Sequence, residues 1–316
     1  MAKIALALHG GAGTILRSQM TPALEAEYRG GLENALKTGW TILENGGSSL
    51  DAVEAAVCSL EDFPLFNAGR GAVFTHEGKV ELDAAIMDGQ CLKAGAVTFV
   101  KNIKNPVKLA RLVMERTEHI LLAGKGANQF AEQMGVKTEP DEYFFTEHRW
   151  LQLQEAMAEG RVQLDHFLSE QEAIAHVSFP KPMGTVGAVA CDVNGHLAAA
   201  TSTGGMTNKK FGRVGDAAII GAGTYADENC AVSCTGHGEY FMLGVTAYDV
   251  AARMKYKGLS LAEAAKETIE HLSSINGEGG LIAVDEFGNV TTPFNSEGMY
   301  RGNITADGNI KTEIFG

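Results

Sequence analysis

Met183-Gly184-Thr185-Val186-Gly187 places a threonine directly after a glycine, at the start of a short apolar run. A hydroxyl is a weak nucleophile at neutral pH. A threonine that becomes the first residue of a chain carries its own base, because the freed α-amino group can take the hydroxyl proton. That amine has an ordinary pKa of about 7.7 to 8.0, so roughly a tenth of it is neutral at pH 7. Taken alone, the dipeptide reads as a plain strand start, since threonine suits strands and glycine suits turns.

Three polar clusters follow: Thr201-Ser202-Thr203-Gly204-Gly205, Gly212-Arg213-Val214-Gly215-Asp216 and Thr235-Gly236-His237-Gly238-Glu239. The last sits between a predicted strand and a predicted helix, where free backbone N–H groups and the helix dipole favour an anion. The Thr235 hydroxyl and the Gly236 N–H are therefore an oxyanion-hole candidate, and one such donor contributes about 2.7 to 4 kcal/mol to transition-state stabilisation. Arg213 and Asp216 bear opposite charges in one glycine-bounded loop, which suits a ligand carrying both a carboxylate and an ammonium group. A guanidinium fork grips a carboxylate through two bonds; alone, the two residues read more readily as a surface ion pair.

Other chemistries lack their motifs. The glycine loops Gly11-Ala12-Gly13, Gly69-Arg70-Gly71, Gly124-Lys125-Gly126 and Gly221-Ala222-Gly223 miss the third glycine of a dinucleotide fingerprint, and no phosphate-loop Gly-Lys-Ser or Gly-Lys-Thr occurs. An organic cofactor is not expected. Nine histidines show no metal-ligand spacing, and no Gly-x-Ser-x-Gly elbow occurs.

The elements that must position these residues are legible in part. Ile4 to Leu8 reads as a strand entering the loop His9-Gly10-Gly11-Ala12-Gly13. Thr21 caps a helix with Pro22 at its first position and Asn45-Gly46-Gly47 at its end; a second helix spans Asp51 to Phe63. Ala72–Thr75 and Val80–Ala85 read as a hairpin, Ala94–Val100 as a further strand, and Val107–Arg116 and Gly126–Gln133 as helices about a short strand at Ile120-Leu121-Leu122. Residues 143–182, rich in Glu, Gln, His and Ala and closed by Phe179-Pro180-Lys181-Pro182, read as a flexible linker. Beyond it, Val186–Ala190 and Leu197–Thr201 form a hairpin across Asn194-Gly195. With those two as the loop, Val193 pairs with His196 and Thr185 falls opposite Gly204, diagonal to Thr203. Ile219-Ile220 and Ala231–Cys234 lead to further strands, a helix runs from about Glu239 to Lys255, Ser260 and Glu263 box the start of another, and Leu281–Asp285 with Val290–Thr292 close a last hairpin. Elements in runs, without strict β/α alternation, favour antiparallel sheets covered by helices, an α+β layered domain.

A chain of 316 residues with 45% apolar content can bury a large core. Its net charge of −13 and lack of basic runs argue against nucleic acid or an anionic membrane and for a small-molecule or peptide partner. Five scattered cysteines without a Cys-x-x-Cys pair fit a reducing compartment, and the apolar run at the N-terminus is too short for a signal or span, so a cytoplasmic protein is expected.

The four clusters beginning at Met183, Thr201, Gly212 and Cys234 occur in the order seen in plant-type L-asparaginases with isoaspartyl peptidase activity, which this chain resembles. His9-Gly10-Gly11-Ala12-Gly13, Phe66-Asn67-Ala68-Gly69, Leu82-Asp83-Ala84, Met87-Asp88-Gly89 and Pro293-Phe294-Asn295-Ser296-Glu297-Gly298-Met299 match the same family, so the likeness covers nearly all but residues 143–182. The resemblance implies an N-terminal nucleophile (Ntn) hydrolase: one α+β domain over 1–316, a four-layer αββα sandwich, self-cleaved between Gly184 and Thr185 into an α subunit (1–184) and a β subunit (185–316). It implies Thr185 as nucleophile, with Thr203 and Thr235 bonding or polarising it. Thr235 and Gly236 would form the oxyanion hole, Arg213 would hold the substrate α-carboxylate and Asp216 its α-ammonium. Gly238 would line the site, Asn67 would lie near the nucleophile, and His237 would have no catalytic role. The carbonyls of Leu60, Glu61, Phe63, Phe66, Ala68 and Arg70 would hold a structural sodium ion, and two cleaved αβ units would pair as a dimer. The substrates implied are L-asparagine and β-aspartyl dipeptides, hydrolysed through an acyl-threonine. Competing readings are a glycosylasparaginase, a taspase-like threonine endopeptidase, and a binding protein of the same fold that never matures.

Overall fold

The computed structural model describes residues 3–158 and 184–316. Strand β1 (Ala5–Gly13) leads to helices α1 (Pro22–Glu44) and α2 (Ser49–Glu61), then to strands β2 (Leu82–Asp88) and β3 (Lys93–Val100). Next come α3 (Pro106–Arg116), β4 (Leu121–Ala123), α4 (Gly124–Gln133), α5 (Asp141–Phe144) and α6 (Glu147–Ala158). After Thr185 follow β5 (Val186–Cys191), β6 (Leu197–Thr203), β7 (Thr224–Ala226) and β8 (Cys230–Gly236). Helices α7 (Gly238–Gly244), α8 (Thr246–Lys257) and α9 (Leu261–Ser274) precede β9 (Gly279–Asp285), β10 (Val290–Thr291), β11 (Gly298–Thr305) and β12 (Ile310–Phe315).

These form a mixed α/β structure with an eight-stranded sheet, ordered β12-β11-β1-β5-β6-β2-β3-β4, and a four-stranded sheet, ordered β10-β9-β8-β7. Among the described strands only β3 and β4 pair in parallel, a departure from the all-antiparallel expectation. Alternation along each strand assigns the faces. Leu6 and Leu8 of β1, Val186, Ala188 and Ala190 of β5, and Ala198 and Ala200 of β6 pack with Leu32, Leu36, Val53 and Val57 of α1 and α2. The opposite faces, through Ala5, Ala7, Val189, Cys191, Leu197 and Ala199, meet Ala231 of β8 and Ile282 and Val284 of β9. Cys230, Val232 and Cys234 point the other way, onto Val250 and Ala251 of α8 and Ala264, Ala265 and Ile269 of α9.

Where local chemistry fixes a boundary, the expectation holds. The Thr21 side chain accepts from Leu24 N at 3.2 Å with Pro22 at the first position, and Ser260 and Glu263 form a full capping box. Other expectations are corrected. The β5–β6 register is one residue off: Val186 pairs with Ser202 and Cys191 with Leu197. Asp192 N bonds His196 O at 3.0 Å, so the loop has three residues, with Gly195 at φ +80 in the left-handed position. Asp192 Oδ1 accepts from Asn194 N and His196 N and holds that loop. The segment His9–Gly13 is strand with a bulge between His9 and Gly11, rather than loop. Ala72–Thr75 is no strand; β2 pairs with β3 and β6 instead. The expected helix from Glu239 to Lys255 breaks at Val245, at φ +47, into α7 and α8. Strands β11 and β12 were not anticipated.

Residues 143–158 were expected to be flexible linker, yet they include the end of α5 and all of α6. Arg149, 1% exposed, donates from Nε to Gly71 O at 2.7 Å and from Nη1 to Gln152 Oε1 at 3.1 Å, and Trp150 meets Phe74 edge-on at 5.5 Å. The remainder of the expected linker lies outside the described residues. No described helix is long and apolar enough to cross a membrane.

Arg149 thus anchors the loop 62–71 that leaves α2. That loop is tightly folded: a Cβ on Gly71 would lie 2.2 Å from Phe66 O and 2.5 Å from Pro64 O, and one on Gly69 would lie 2.5 Å from Glu61 O. Gly71→Ala is predicted to destabilise the protein by about 1–3 kcal/mol, because backbone atoms must give way. Denaturant unfolding of the variant checks this, and an unchanged midpoint contradicts it.

Candidate active site

Of the polar residues singled out above, Thr185, Thr201, Thr203 and Thr235 lie on the faces that the two sheets share, whereas Arg213 and Asp216 lie in the loop between β6 and β7. Along β5 the residues alternating with Val186, Ala188 and Ala190 are Thr185, Gly187, Val189 and Cys191; along β6 those alternating with Ala198 and Ala200 are Thr201 and Thr203. Continuing the observed register by one residue brings Thr185 directly opposite Thr203, closer than the diagonal expected from sequence. Ser233 and Thr235 of β8 follow Ala231 on the face turned to the large sheet. Thr185 is 7% exposed, Thr203 3% and Thr235 fully buried. The two sheets are joined at this end by His9, whose Nδ1 is 2.9 Å from Thr185 O and whose Nε2 is 2.9 Å from Ser233 Oγ, and by Ala12 N donating to Thr235 Oγ1 at 3.2 Å.

Asn67 is held from both sides. Its Oδ1 accepts from Val73 N at 3.0 Å and its Nδ2 donates to Gly205 O at 2.8 Å, while Gly205 N donates to Thr203 Oγ1 at 2.9 Å. Asn67, in the loop after α2, is thereby tied to the end of β6. Around it, the carbonyls of Pro64 and Phe66 close on Gly71 and that of Glu61 on Gly69; Glu61 and Phe66 belong to the set expected to hold a sodium ion, and Pro64 does not. The buried Glu61 carboxyl is pushed up to about 8 by desolvation, with Val107 N donating to its Oε1 at 3.1 Å. Among the described residues no group of three His, Cys, Asp or Glu side chains could hold a metal ion.

Arg213 and Asp216 converge at Gly238. A Cβ on Gly238 would lie 2.8 Å from Asp216 Oδ1 and 2.9 Å from Arg213 Nη2, so any larger residue there would fill the space between them. Asp216 is buried with Oδ2 lacking a hydrogen-bond partner. Desolvation pushes its carboxyl up to about 7, against the pull of Arg213. A buried, underbonded carboxyl beside a guanidinium is the kind of group that a cation-bearing ligand would complete.

Sequence reasoning missed the partner that Arg213 holds. Its Nε and Nη2 donate to the two carboxylate oxygens of Glu239 at 2.9 and 2.8 Å, a two-bond fork, and His237 Nε2 lies 3.4 Å from Glu239 Oε2. Burial works against the ionised Glu239, yet the Arg213 bonds outweigh it and hold the carboxyl below its ordinary range. Burial outweighs Glu239 at His237 and lowers its pKa. The signal lay in the sequence, an acid closing the Thr235–Glu239 cluster, but no rule of spacing ties it to an arginine 26 residues earlier. Also missed were His9, Ser233, Thr201 and Thr224, and the buried Lys209, whose Nζ donates to Glu81 O at 3.0 Å.

Glu239 occupies the fork that an incoming carboxylate would need. Glu239→Gln keeps the shape and removes the competing charge, and is predicted to tighten binding of L-aspartate about three- to tenfold, less than for a buried pair because Glu239 is 42% exposed. Isothermal titration checks this; equal or weaker binding contradicts it.

The chain is similar to known proteins along nearly its whole length. The asparaginase family matches residues 2–314. The isoaspartyl peptidase of Escherichia coli (strain K12) is 52% identical over 303 residues, covering 95% of this chain and 92% of that protein. The isoaspartyl peptidase/L-asparaginase of Xenopus laevis is 44% identical, covering 94% and 91%, and the probable isoaspartyl peptidase/L-asparaginase 2 of Arabidopsis thaliana is 41% identical, covering 98% of both. With its site assembled from the two sheets and its likeness running the length of the chain, the protein belongs to the asparaginase family.

Proposed function

We propose that the protein is a self-processing threonine hydrolase that releases L-aspartate from β-aspartyl dipeptides and L-asparagine. The observation that carries the reading is the placement of Thr185, Thr203 and Thr235 on the shared sheet faces, with Arg213 and Asp216 converging at Gly238. Both substrates present the same side-chain carbonyl and the same free α-amino and α-carboxylate groups, so one Arg213–Asp216 pair serves both. The names of the relatives support this substrate class.

Cleavage between Gly184 and Thr185 divides the domain into subunits 1–184 and 185–316, in a four-layer αββα sandwich of the Ntn-hydrolase kind; the three packed faces described above support that layering. The new α-amine of Thr185 takes the hydroxyl proton as Oγ1 attacks the substrate carbonyl carbon. The oxyanion is met by Thr235 and the Gly236 N–H. The proton passes to the leaving nitrogen, which departs as ammonia or an amino acid. Water then cleaves the aspartyl ester and restores the hydroxyl. Thr203 holds the nucleophile's hydroxyl across the strand pair, Arg213 takes the α-carboxylate from Glu239, and Asp216 pairs with the α-ammonium. Gly238 leaves room for those groups. A sodium ion held by the carbonyls of Leu60, Glu61, Phe63, Phe66, Ala68 and Arg70 would supply only structural charge; the chain's own part is to keep Asn67 beside Gly205. The protein acts as a dimer of αβ units in the cytoplasm, a compartment that suits its five free cysteines.

Thr185→Ala is expected to abolish cleavage before residue 185 and to lower aspartate release by at least about 10⁴-fold; release at the native rate would refute the assignment. A substrate panel separates the relatives of this chemistry: β-aspartyl dipeptides should turn over, while glycosylasparagine and blocked peptides should not. Hydrolysis of blocked peptides would favour an endopeptidase.

Asp216 adds a pH signature. Its carboxyl ionises only above about 7, so below that pH the partner for a ligand ammonium is neutral. Competitive inhibition by L-aspartate should weaken about tenfold for each pH unit below 7, whereas succinate, which lacks the ammonium, should not follow. Parallel loss of both inhibitors contradicts the role given to Asp216.

A further inference from the structure

β1 presents Ala5, Ala7 and then His9 to the space between the sheets, a large polar side chain where its neighbours are small and apolar. His9 has no exposed surface, and desolvation, only partly offset by its bond to Thr185 O, lowers its pKa to about 3, so the ring is neutral at working pH. A neutral imidazole has one N–H and one acceptor nitrogen. Its Nδ1 faces a carbonyl oxygen, which only accepts, so Nδ1 carries the proton and donates to Thr185 O at 2.9 Å. Nε2 must then accept, and the Ser233 hydroxyl is 2.9 Å away.

That assignment orients the hydroxyls behind it. Ser233 gives its proton to His9 and accepts from Thr201 at 2.7 Å, and Thr201 accepts from Thr224 at 2.6 Å. Thr224 thereby spends its one proton on Thr201 and gives none to the carbonyl of Ala217; the file meets the Asp216 loop through the neighbouring Gly223, whose N donates to Asp216 O at 3.1 Å. The buried file therefore begins at Thr185 and ends at the loop of Asp216. It also explains the second glycine of Gly184-Thr185-Val186-Gly187. A Cβ on Gly187 would lie 2.0 Å from Ser233 Oγ and 2.6 Å from His9 Nε2, inside the His9–Ser233 bond.

We infer that His9 is a positioning residue for Thr185: its Nδ1–H fixes the plane of the Thr185–Val186 peptide, and the file Ser233–Thr201–Thr224 locks the ring and couples the nucleophile to the Asp216 loop. The inference rests on Thr185 being the nucleophile. Fixing that peptide plane fixes the directions in which the Thr185 amine and hydroxyl leave its Cα. A displacement of about 1 Å in a reacting group costs about 100-fold in rate.

Two near-isosteric variants isolate the bond. Asn places an amide N–H close to where Nδ1–H stood, and Leu has the same shape without a donor; both leave Ser233 without its acceptor, so the difference between them reports the bond to Thr185. His9→Leu should lose about 100-fold in kcat on a β-aspartyl dipeptide with KM within about twofold, while His9→Asn should retain most of kcat at a similar Tm. Equal kcat in the two variants, whether native or depressed, overturns the inference while leaving the hydrolase reading intact. A second readout needs no substrate and no variant: ¹⁵N NMR of the native ring should show a neutral, Nδ1-protonated tautomer from pH 5 to pH 9, values set on the order of two units or more above the lowered pKa. An Nε2-protonated or charged ring overturns the inference whatever the protein hydrolyses.

Discussion

Close approach of the two sheets is the constraint from which the site follows. Strand alternation places Ala5, Ala7, Ala199 and Ala231 on the shared faces, beside the larger Val189, Leu197, Ile282 and Val284. At one end of that interface the alanines give way to Thr185, Thr201, Thr203, Ser233 and Thr235 with His9 among them. There the backbones lie near enough that a single imidazole spans from Thr185, just before β5, to Ser233 of β8.

Burial gives this end of the interface its electrostatic character. Asp216 is desolvated enough to approach neutrality at physiological pH, and His9 is held neutral throughout. Arg213 is the counterweight, and its fork rests on Glu239. A zwitterionic ligand would bring an ammonium to the unpartnered Asp216 oxygen and a carboxylate to compete with Glu239 for the arginine, which is how such a site would distinguish an amino acid from a simple acid or amide. Any carboxylate that took that fork would have to displace Glu239.

Local chemistry was legible in the sequence, and contacts between distant segments were not. Thr21 with Pro22, and Ser260 with Glu263, mark helix starts because the cap bonds are made within one turn. The β5–β6 pairing was legible, but its register was not, because Asp192 captures Asn194 N and His196 N and widens the loop by one residue. Val245 splits a helix by adopting a left-handed conformation that a β-branched residue rarely takes, so propensity pointed the wrong way. Helix α6 lacks an obvious apolar stripe and is held by Arg149 reaching Gly71, a contact 78 residues apart. The threonines and the Arg213–Asp216 pair stood out through their motifs. Glu239, Ser233 and Thr224 did not, because what they do depends on which strands and loops face them across the sheets.

The central claim is that Thr185, once freed, carries the acyl group. Intact-mass analysis of the purified protein, before and during turnover of a slow β-aspartyl substrate, tests it most directly. The account predicts two chains, one ending at Gly184 and one beginning at Thr185, with a transient aspartyl adduct on the first residue of the second. A single uncleaved chain that still releases aspartate, or an adduct on any other residue, would contradict it.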